Sequence, residues 1–280
     1  MNKIECHQYL IDILMSTYNG ARFLRQQVDS IINQTYTNWR LIIRDDGSSD
    51  TTLDIIEDYV LLYPDKIKIV DKKTSNLGSA KSFERLLDFV EGDFFMYSDQ
   101  DDIWCNNKIE RNILEILRIE SLYGNDIPLM VCSDAKCIDT NGNEICPSFF
   151  LSQKFVDTTK NDIKLLALNV VQGSTTLMNK KVLKYIRPFP KYVLHDQWIA
   201  VITAHYGYVS YIHEQLLLYR QHGNNVLGAL DIGYNYFLNK IINIKKQMRI
   251  YYSFYNNLPF RPNIIKWCYL KLYYSILRLK

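Results

Sequence analysis

Ser98-Asp99-Gln100-Asp101-Asp102 places three carboxylates within four residues, directly after the apolar run at 94–97. A strand ending in such a cluster sets several oxygen ligands at one sheet edge. The acids repel one another unless a cation, or a ligand carrying one, lies between them. Hard divalent cations such as Mg²⁺ take carboxylate oxygens and commonly share themselves with substrate phosphates. The segment therefore predicts a metal–diphosphate site, against the alternative of a solvated turn whose acids cap a following helix.

Three further polar clusters ask for chemistry. Arg44-Asp45-Asp46-Gly47-Ser48-Ser49-Asp50 follows an apolar run and precedes a helical pattern. Ser49 or Asp50 can serve as a helix cap, which leaves the paired Asp45 and Asp46 unexplained. A carboxylate there can accept the imide N–H of uracil or thymine. Ser16-Thr17-Tyr18-Asn19-Gly20 is by itself a turn, and its value is a place beside the Asp46 loop. Asn76-Leu77-Gly78 is either a capped turn or a contact to ribose or base.

The elements that must position these clusters can be read from periodicity. Strand-like runs fall at 10–15, 39–44, 66–70, 93–97 and 129–133, and helical spacing at 21–33, 51–62, 79–90 and 106–119. This alternation predicts an α/β fold, a mostly parallel central sheet flanked by helices on both faces. Ligands of such sheets gather at the carboxyl ends of strands, where all four clusters stand. Beyond 133 the pattern is less regular. Asp139-Thr140-Asn141-Gly142-Asn143 predicts a turn between two short antiparallel strands, followed by helical stretches at 162–168 and 195–205 and strands at 208–211 and 215–219.

With 280 residues, 48% of them hydrophobic and 22% charged, the chain can form one large α/β domain with an appendage, and wholesale disorder is excluded. No signal peptide or membrane-spanning run is expected. The six cysteines show no C-x-x-C spacing, which argues against zinc and a disulfide framework and predicts a reducing, cytoplasmic setting. The net charge of +3 conceals an asymmetry: nine Lys or Arg and no acid lie in 232–280, against 24 basic and 30 acidic residues before. Two units are expected, an α/β domain at 1–228 and a basic, aromatic, helical extension at 229–280.

Taken in order, the four clusters resemble the glycosyltransferases of family 2, with the GT-A fold of nucleotide-diphospho-sugar transferases. Gln172-Gly173-Ser174-Thr175, His195-Asp196-Gln197-Trp198 and Tyr219-Arg220-Gln221-His222-Gly223-Asn224-Asn225-Val226 extend the likeness to about residue 228, in the manner of bacterial rhamnosyltransferase-like enzymes. The resemblance implies that Asp99-Gln100-Asp101 is the D-x-D motif holding Mg²⁺ or Mn²⁺ against the donor diphosphate. It further implies that Asp46 reads the pyrimidine, with Thr17, Tyr18, Asn19, Asn76, Gly78 and Gly173 in the donor pocket. Asp196 matches the catalytic base of inverting members, and His222 a third metal ligand or a diphosphate contact. The family often has Glu-Asp where this chain has His195-Asp196.

Asp196 also fits a helix N-cap, and a helix N-terminus lowers a carboxylate's pKa, which weakens a base. His7, His195, His205 and His213 are expected to be structural or exposed. In the tail, Ile241, Ile244, Met248, Tyr251 and Tyr252 share about one helical face. That face predicts either packing on the catalytic domain or contact with anionic lipid at the inner face of the cell membrane. No recognition motif for nucleic acid accompanies the basic charge.

The expected function is transfer of a sugar, from dTDP-rhamnose or a UDP-hexose, to a lipid-linked saccharide in bacterial O-antigen or capsule synthesis. The alternatives are a nucleotidyltransferase and a non-catalytic nucleotide-sugar-binding or scaffold subunit. The first expects a glycine-rich phosphate loop with a nearby lysine, which 16–22 lacks.

Overall fold

Strand β1 (Ile11–Thr17) alternates its side chains between two buried layers: Ile11, Ile13 and Met15 enter one and Leu14 the other. A strand buried on both faces needs helices above and below, and the computed structural model supplies both. The structure describes residues 8–71, 76–222 and 243–279.

From β1 the chain runs through α1 (Ala21–Ile32), β2 (Trp39–Asp45), α2 (Thr52–Leu62), β3 (Ile67–Ile69), α3 (Ser79–Leu86), β4 (Phe94–Ser98), β5 (Ile103–Trp104) and α4 (Lys108–Tyr123). It continues with β6 (Leu129–Ile138), β7 (Glu144–Cys146), α5 (Phe149–Ser152), α6 (Asp162–Ala167) and β8 (Thr176–Asn179). Last come α7 (Leu183–Ile186), α8 (His195–Tyr206), β9 (Tyr208–Arg220), α9 (Ile244–Asn257) and α10 (Ile264–Leu277).

The sheet order is β3-β2-β1-β4-β8-β6-β9-β5, with β7 paired to β6. β1 to β4 are mutually parallel, as the alternating pattern predicts. β8 then inserts antiparallel between β4 and β6, β6 and β9 run parallel, and β5 closes the edge antiparallel to β9. The sheet is therefore mixed rather than mostly parallel. The four residues of β8 carry no periodic signal, and their strand state depends on the neighbours they pair with. β9 is one long strand where two are expected, because its pairing with β6 shifts register around Asp134 and absorbs His213 and Glu214. The turn at 139–143 joins β6 to β7 in an antiparallel hairpin, as expected.

On one face of the sheet Leu24, Val28 and Ile31 of α1, Ile55 and Ile56 of α2, and Ile109, Ile113 and Ile116 of α4 are buried. Full burial of such a side chain contributes about 1.5–3 kcal/mol as an upper bound. The other face is covered by Phe83 and Leu86 of α3, Leu165 and Leu166 of α6, and Trp198, Ile199 and Ile202 of α8. Asp12 is fully buried within β1 and held by the Arg40 guanidinium at 2.8 Å and by the Glu91 and Gly92 amides.

The extension packs on this second face. Phe254 and Leu258, at the C-terminal end of α9, and Trp267 and Tyr274 of α10 are buried there, α10 lying against α6. The expected tail face is divided: Met248 and Tyr252 are exposed, while Tyr251 turns inward against Trp267 with ring centres 5.6 Å apart. Ile241, the side chain of Ile244, Cys6, His7, Ser75, the segment 223–226 and the expected boundary at 228 lie outside the described residues.

Candidate active site

A cavity of about 1020 Å³ opens at the carboxyl ends of β1, β2 and β4. All twelve residues singled out from the sequence line it: Thr17, Tyr18, Asn19, Asp46, Asn76, Gly78, Asp99, Gln100, Asp101, Gly173, Asp196 and His222. Parallel pairing explains the first group, since β1 registers with β2 and β4 so that three strand ends meet.

The loops are tied together by a chain of hydrogen bonds. The Asp45 carboxylate accepts from Thr17 Oγ1 at 2.8 Å and from the Gly47 and Ser48 amides at 3.0 and 2.8 Å. Asp45 thus organises its own loop, and Thr17 is fully buried in doing the same. Asn19 Oδ1 accepts from the Ser49 amide at 2.8 Å. Asp50, expected as a cap, bonds the Thr52 amide at 3.1 Å and the Ala21 amide at 3.2 Å, joining the starts of α2 and α1. Asp46 is nearly buried: the Arg44 guanidinium donates to Oδ1 at 2.5 Å, as does the Leu77 amide at 2.8 Å. Oδ2 accepts from the Gly78 amide at 2.8 Å, with Gly78 at φ +78°. That conformation suits glycine, and it aims the amide of the third cluster at the acid of the second.

Gln100 lines the cavity with its side-chain amide tied to the β1 loop. Its Oε1 accepts from the Tyr18 amide at 2.8 Å and its Nε2 donates to the Tyr18 carbonyl at 3.0 Å. Gly20 makes this possible, because a Cβ there would stand 2.2 Å from Gln100 Oε1. The sequence marks Asn19-Gly20 only as a turn, and the close approach comes from a residue 80 positions away in the chain.

Of the acidic cluster, Asp99 and Asp101 reach the cavity and Asp102 does not. Burial pushes the Asp99 carboxyl up to about 7, helped by the nearby Asp101 and Asp196 charges. Asp102 is fully buried; burial and the charges of Asp101 and Asp99 raise it well above the usual range. Its Oδ1 accepts the Arg220 amide at 3.0 Å, so it anchors β9 and caps no helix. Lys108, which sequence reading passed over, is buried beneath the cluster. Its Nζ donates to the Ser174 carbonyl and stands 3.8 Å from the Trp104 ring centre. Burial lowers it to about 7 against the raising charges of Asp102, Cys105 and Asp99.

Arg220 brings the far side of the site together. Its guanidinium donates to the Asp101 carbonyl at 2.9 Å and to the Asp139 and Thr140 carbonyls at 3.2 and 3.3 Å, drawing the β6–β7 turn to the cavity rim. His222, two residues on, places Nε2 2.7 Å from Asp101 Oδ2. Among the described residues no group of three or more His, Cys, Asp or Glu side chains is gathered closely enough to hold a metal. Asp99, Asp101 and His222 are accordingly not a preassembled three-ligand site. Two carboxylates and an imidazole still suit a hard divalent ion that draws its remaining oxygens from a diphosphate.

Asp196 sits in the first turn of α8, not at its N-cap, which is Leu194. Its Oδ1 accepts the Gln197 amide at 2.6 Å. Burial raises its carboxyl to about 6 despite hydrogen bonds from the Gln197 and Gly173 amides. The expected acid-strengthening by the helix end is thus outweighed by desolvation, which makes a better base. His195 packs between Phe83 and Tyr97, with ring centres 4.8 and 5.4 Å away, and burial lowers it to about 4. It also forms part of the cavity wall.

A mixed sheet with its ligand cavity over three parallel strand ends, lined by paired acids, defines a GT-A-like nucleotide-sugar transferase architecture. The model of glycosyl transferase family 2 matches residues 12–186, and the chain belongs to that family of enzymes, which transfer sugars from nucleotide-diphosphate donors. It is 32% identical over 229 residues to a dTDP-rhamnosyl transferase, RfbG, of Shigella flexneri, covering 77% of this chain and 74% of the relative. It is 36% identical over 120 residues to WfgD of Escherichia coli, a UDP-Glc:alpha-D-GlcNAc-diphosphoundecaprenol beta-1,3-glucosyltransferase. That match covers 42% of this chain and 46% of the relative, less than half its length. The mannosyltransferase PcManGT from Pyrobaculum calidifontis, in complex with GDP-Man and Mn²⁺, shares the fold. Its TM-score is 0.62 at 15% identity, over 96% of this chain and 70% of that one.

Proposed function

We propose that this chain is an inverting, metal-dependent transferase that moves rhamnose from dTDP-rhamnose, or a hexose from its UDP carrier, to a lipid-linked saccharide. The observation that carries the reading is the shared cavity: Asp196, raised to about 6, faces the same space as Asp99, Asp101 and Asp46. A non-catalytic binding subunit has use for Asp46 but not for the other three acids together.

In this reading Asp196 takes the proton of the acceptor hydroxyl as that oxygen bonds to the sugar's anomeric carbon and the nucleoside diphosphate leaves. A group ionising near neutral pH is suited to that transfer. A single displacement inverts the anomeric centre, and no second acid is needed as nucleophile. Mg²⁺ or Mn²⁺, held by Asp99, Asp101 and His222 with the diphosphate, would offset negative charge on the leaving oxygens. Asp46, fixed by Arg44, Leu77 and Gly78, reads the imide of uracil or thymine through its remaining acceptor capacity. Thr17, Tyr18, Asn19, Asn76, Gly78, Gln100 and Gly173 shape the donor pocket, several of them by holding loops.

Rhamnose is favoured by the likeness to RfbG, and a diphosphate-lipid acceptor by the likeness to WfgD. Such an acceptor would place the protein at the cytoplasmic face of the bacterial membrane, in O-antigen or capsule assembly. Among the described residues no helix is long and apolar enough to cross a membrane, in keeping with peripheral attachment. The division into a catalytic unit at 1–228 and an extension at 229–280 belongs to the same proposal. A panel of nucleotide sugars with Mg²⁺ or Mn²⁺, read by saturation-transfer NMR and by hydrolysis, tests it. Absence of both binding and turnover with every donor would sink the transferase reading.

A further inference from the structure

Helix α10 is apolar on two opposite faces. One face, with Trp267 and Tyr274, is buried on the catalytic domain. The other presents Ile265, Tyr269, Leu272, Tyr273 and Ile276, each between 46% and 82% exposed. Offsets of 0, 4, 7, 8 and 11 residues at 100° per residue confine these five to an arc of about 100°. A helix that is apolar all round is ordinarily covered all round, and an exposed stripe of this kind marks an interaction surface. The stripe is distinct from the α9 positions that the sequence pattern picked out.

We propose that this outward face of α10 is the surface by which the protein lies on an anionic lipid bilayer, an inference that rests on the lipid-linked acceptor of the preceding section. Charge selects the occupant. No acid occurs in 232–280 against nine Lys or Arg; Arg278 is buried against Gln153 and Lys271 is bonded to the Ala167 carbonyl, but exposed Lys266 follows the stripe on α10, and exposed Lys245 and Arg249 accompany Met248 and Tyr252 on α9. A second copy apposed through the same face would set basic charge against basic charge, whereas anionic headgroups complement it. Tyr269 and Tyr273 have the amphipathic rings favoured at a headgroup boundary, and Ile265, Leu272 and Ile276 supply the apolar depth. Because the inner face of α10 packs on the domain through Trp267 and Tyr274, this helix holds its outward face in a fixed orientation to the domain.

The test is sedimentation of the full chain with vesicles of phosphatidylethanolamine and phosphatidylglycerol, and separately with phosphatidylcholine alone. Wild type should sediment with the anionic vesicles and be released by salt. The variant Ile265→Ser/Tyr269→Ser/Ile276→Ser should lose about tenfold or more in vesicle affinity, with an unchanged far-UV circular dichroism spectrum. A second variant, Lys245→Glu/Arg249→Glu/Lys266→Glu, should weaken only binding to the anionic vesicles. Equal sedimentation of wild type and the first variant, or none by wild type, overturns the proposal. So does a concentration-dependent dimer dispersed by that variant with no vesicle binding. Nucleotide-sugar binding, measured without vesicles, is read separately: vesicle binding without donor binding would reject the transferase reading and leave this surface standing.

Discussion

His222 Nε2 and Asp101 Oδ2 stand 2.7 Å apart, closing a contact between the segment after β9 and the end of β4 across 121 positions of sequence. The pair is positioned by Arg220, which binds the Asp101 carbonyl, while the neighbouring Asp102 carboxylate receives the Arg220 amide. Acid and imidazole therefore reach the cavity from the segments after β4 and β9, two strands that are not neighbours in the sheet.

Asp101→Ala should abolish metal-dependent binding of a nucleoside diphosphate. His222→Ala should weaken it by about tenfold, the scale of losing a supporting metal contact. Titration calorimetry of UDP and dTDP with and without Mn²⁺ measures both. Unchanged metal dependence in Asp101→Ala would remove this acid from the metal site.

Asp196→Asn should retain donor binding and lose about 10²-fold or more in transfer. The base works when ionised, so kcat/KM in wild type should fall as pH drops through about 6 and level off above it. His195, neutral above about 4, cannot account for that limb. A flat profile between about pH 5 and about pH 8 would require another base.

Gly20→Ala should act through Gln100. The new methyl displaces the amide from Tyr18 and removes two hydrogen bonds, at a stability cost of about 1–2 kcal/mol. Gln100→Ala removes the same two bonds and should cost about the same stability, and the double variant should be little worse than either alone. Additive effects in a double-mutant cycle would show that the two residues work separately.

Asp99→Asn should uncouple stability from function. The folded state raises this carboxyl to about 7, so it favours the protonated form. Its contribution to stability is complete below the ordinary Asp range near 4 and is lost as pH rises through about 7. Without metal, the variant should gain Tm relative to wild type as pH is raised from about 4 to about 8, while losing metal-dependent donor binding. A Tm difference that shrinks with rising pH would contradict the assignment.

Periodicity in the first half of the chain was enough to place β1 to β4 and the helices between them, because β1, β2 and β4 are buried on both faces and each helix on one. The polar clusters at their carboxyl ends were legible for the same reason: an acid run after an apolar run has one place to go in a parallel sheet. The sequence could not reveal β8, whose four residues become a strand only by pairing with β4 and β6. Nor could it reveal Lys108 beneath the acids, the locking of Gln100 onto Tyr18, or the outward face of α10. Those depend on which distant groups meet. The pKa of Asp196 is of the same kind: local helix geometry argues for a stronger acid, and only burial in the assembled cavity reverses the sign. The motifs along the chain carried the resemblance to the family and named residues that line the cavity. Packing decided which of those residues face the cavity, which hold loops, and which charges remain uncompensated, because desolvation and long-range contact exist only once the sheet is formed.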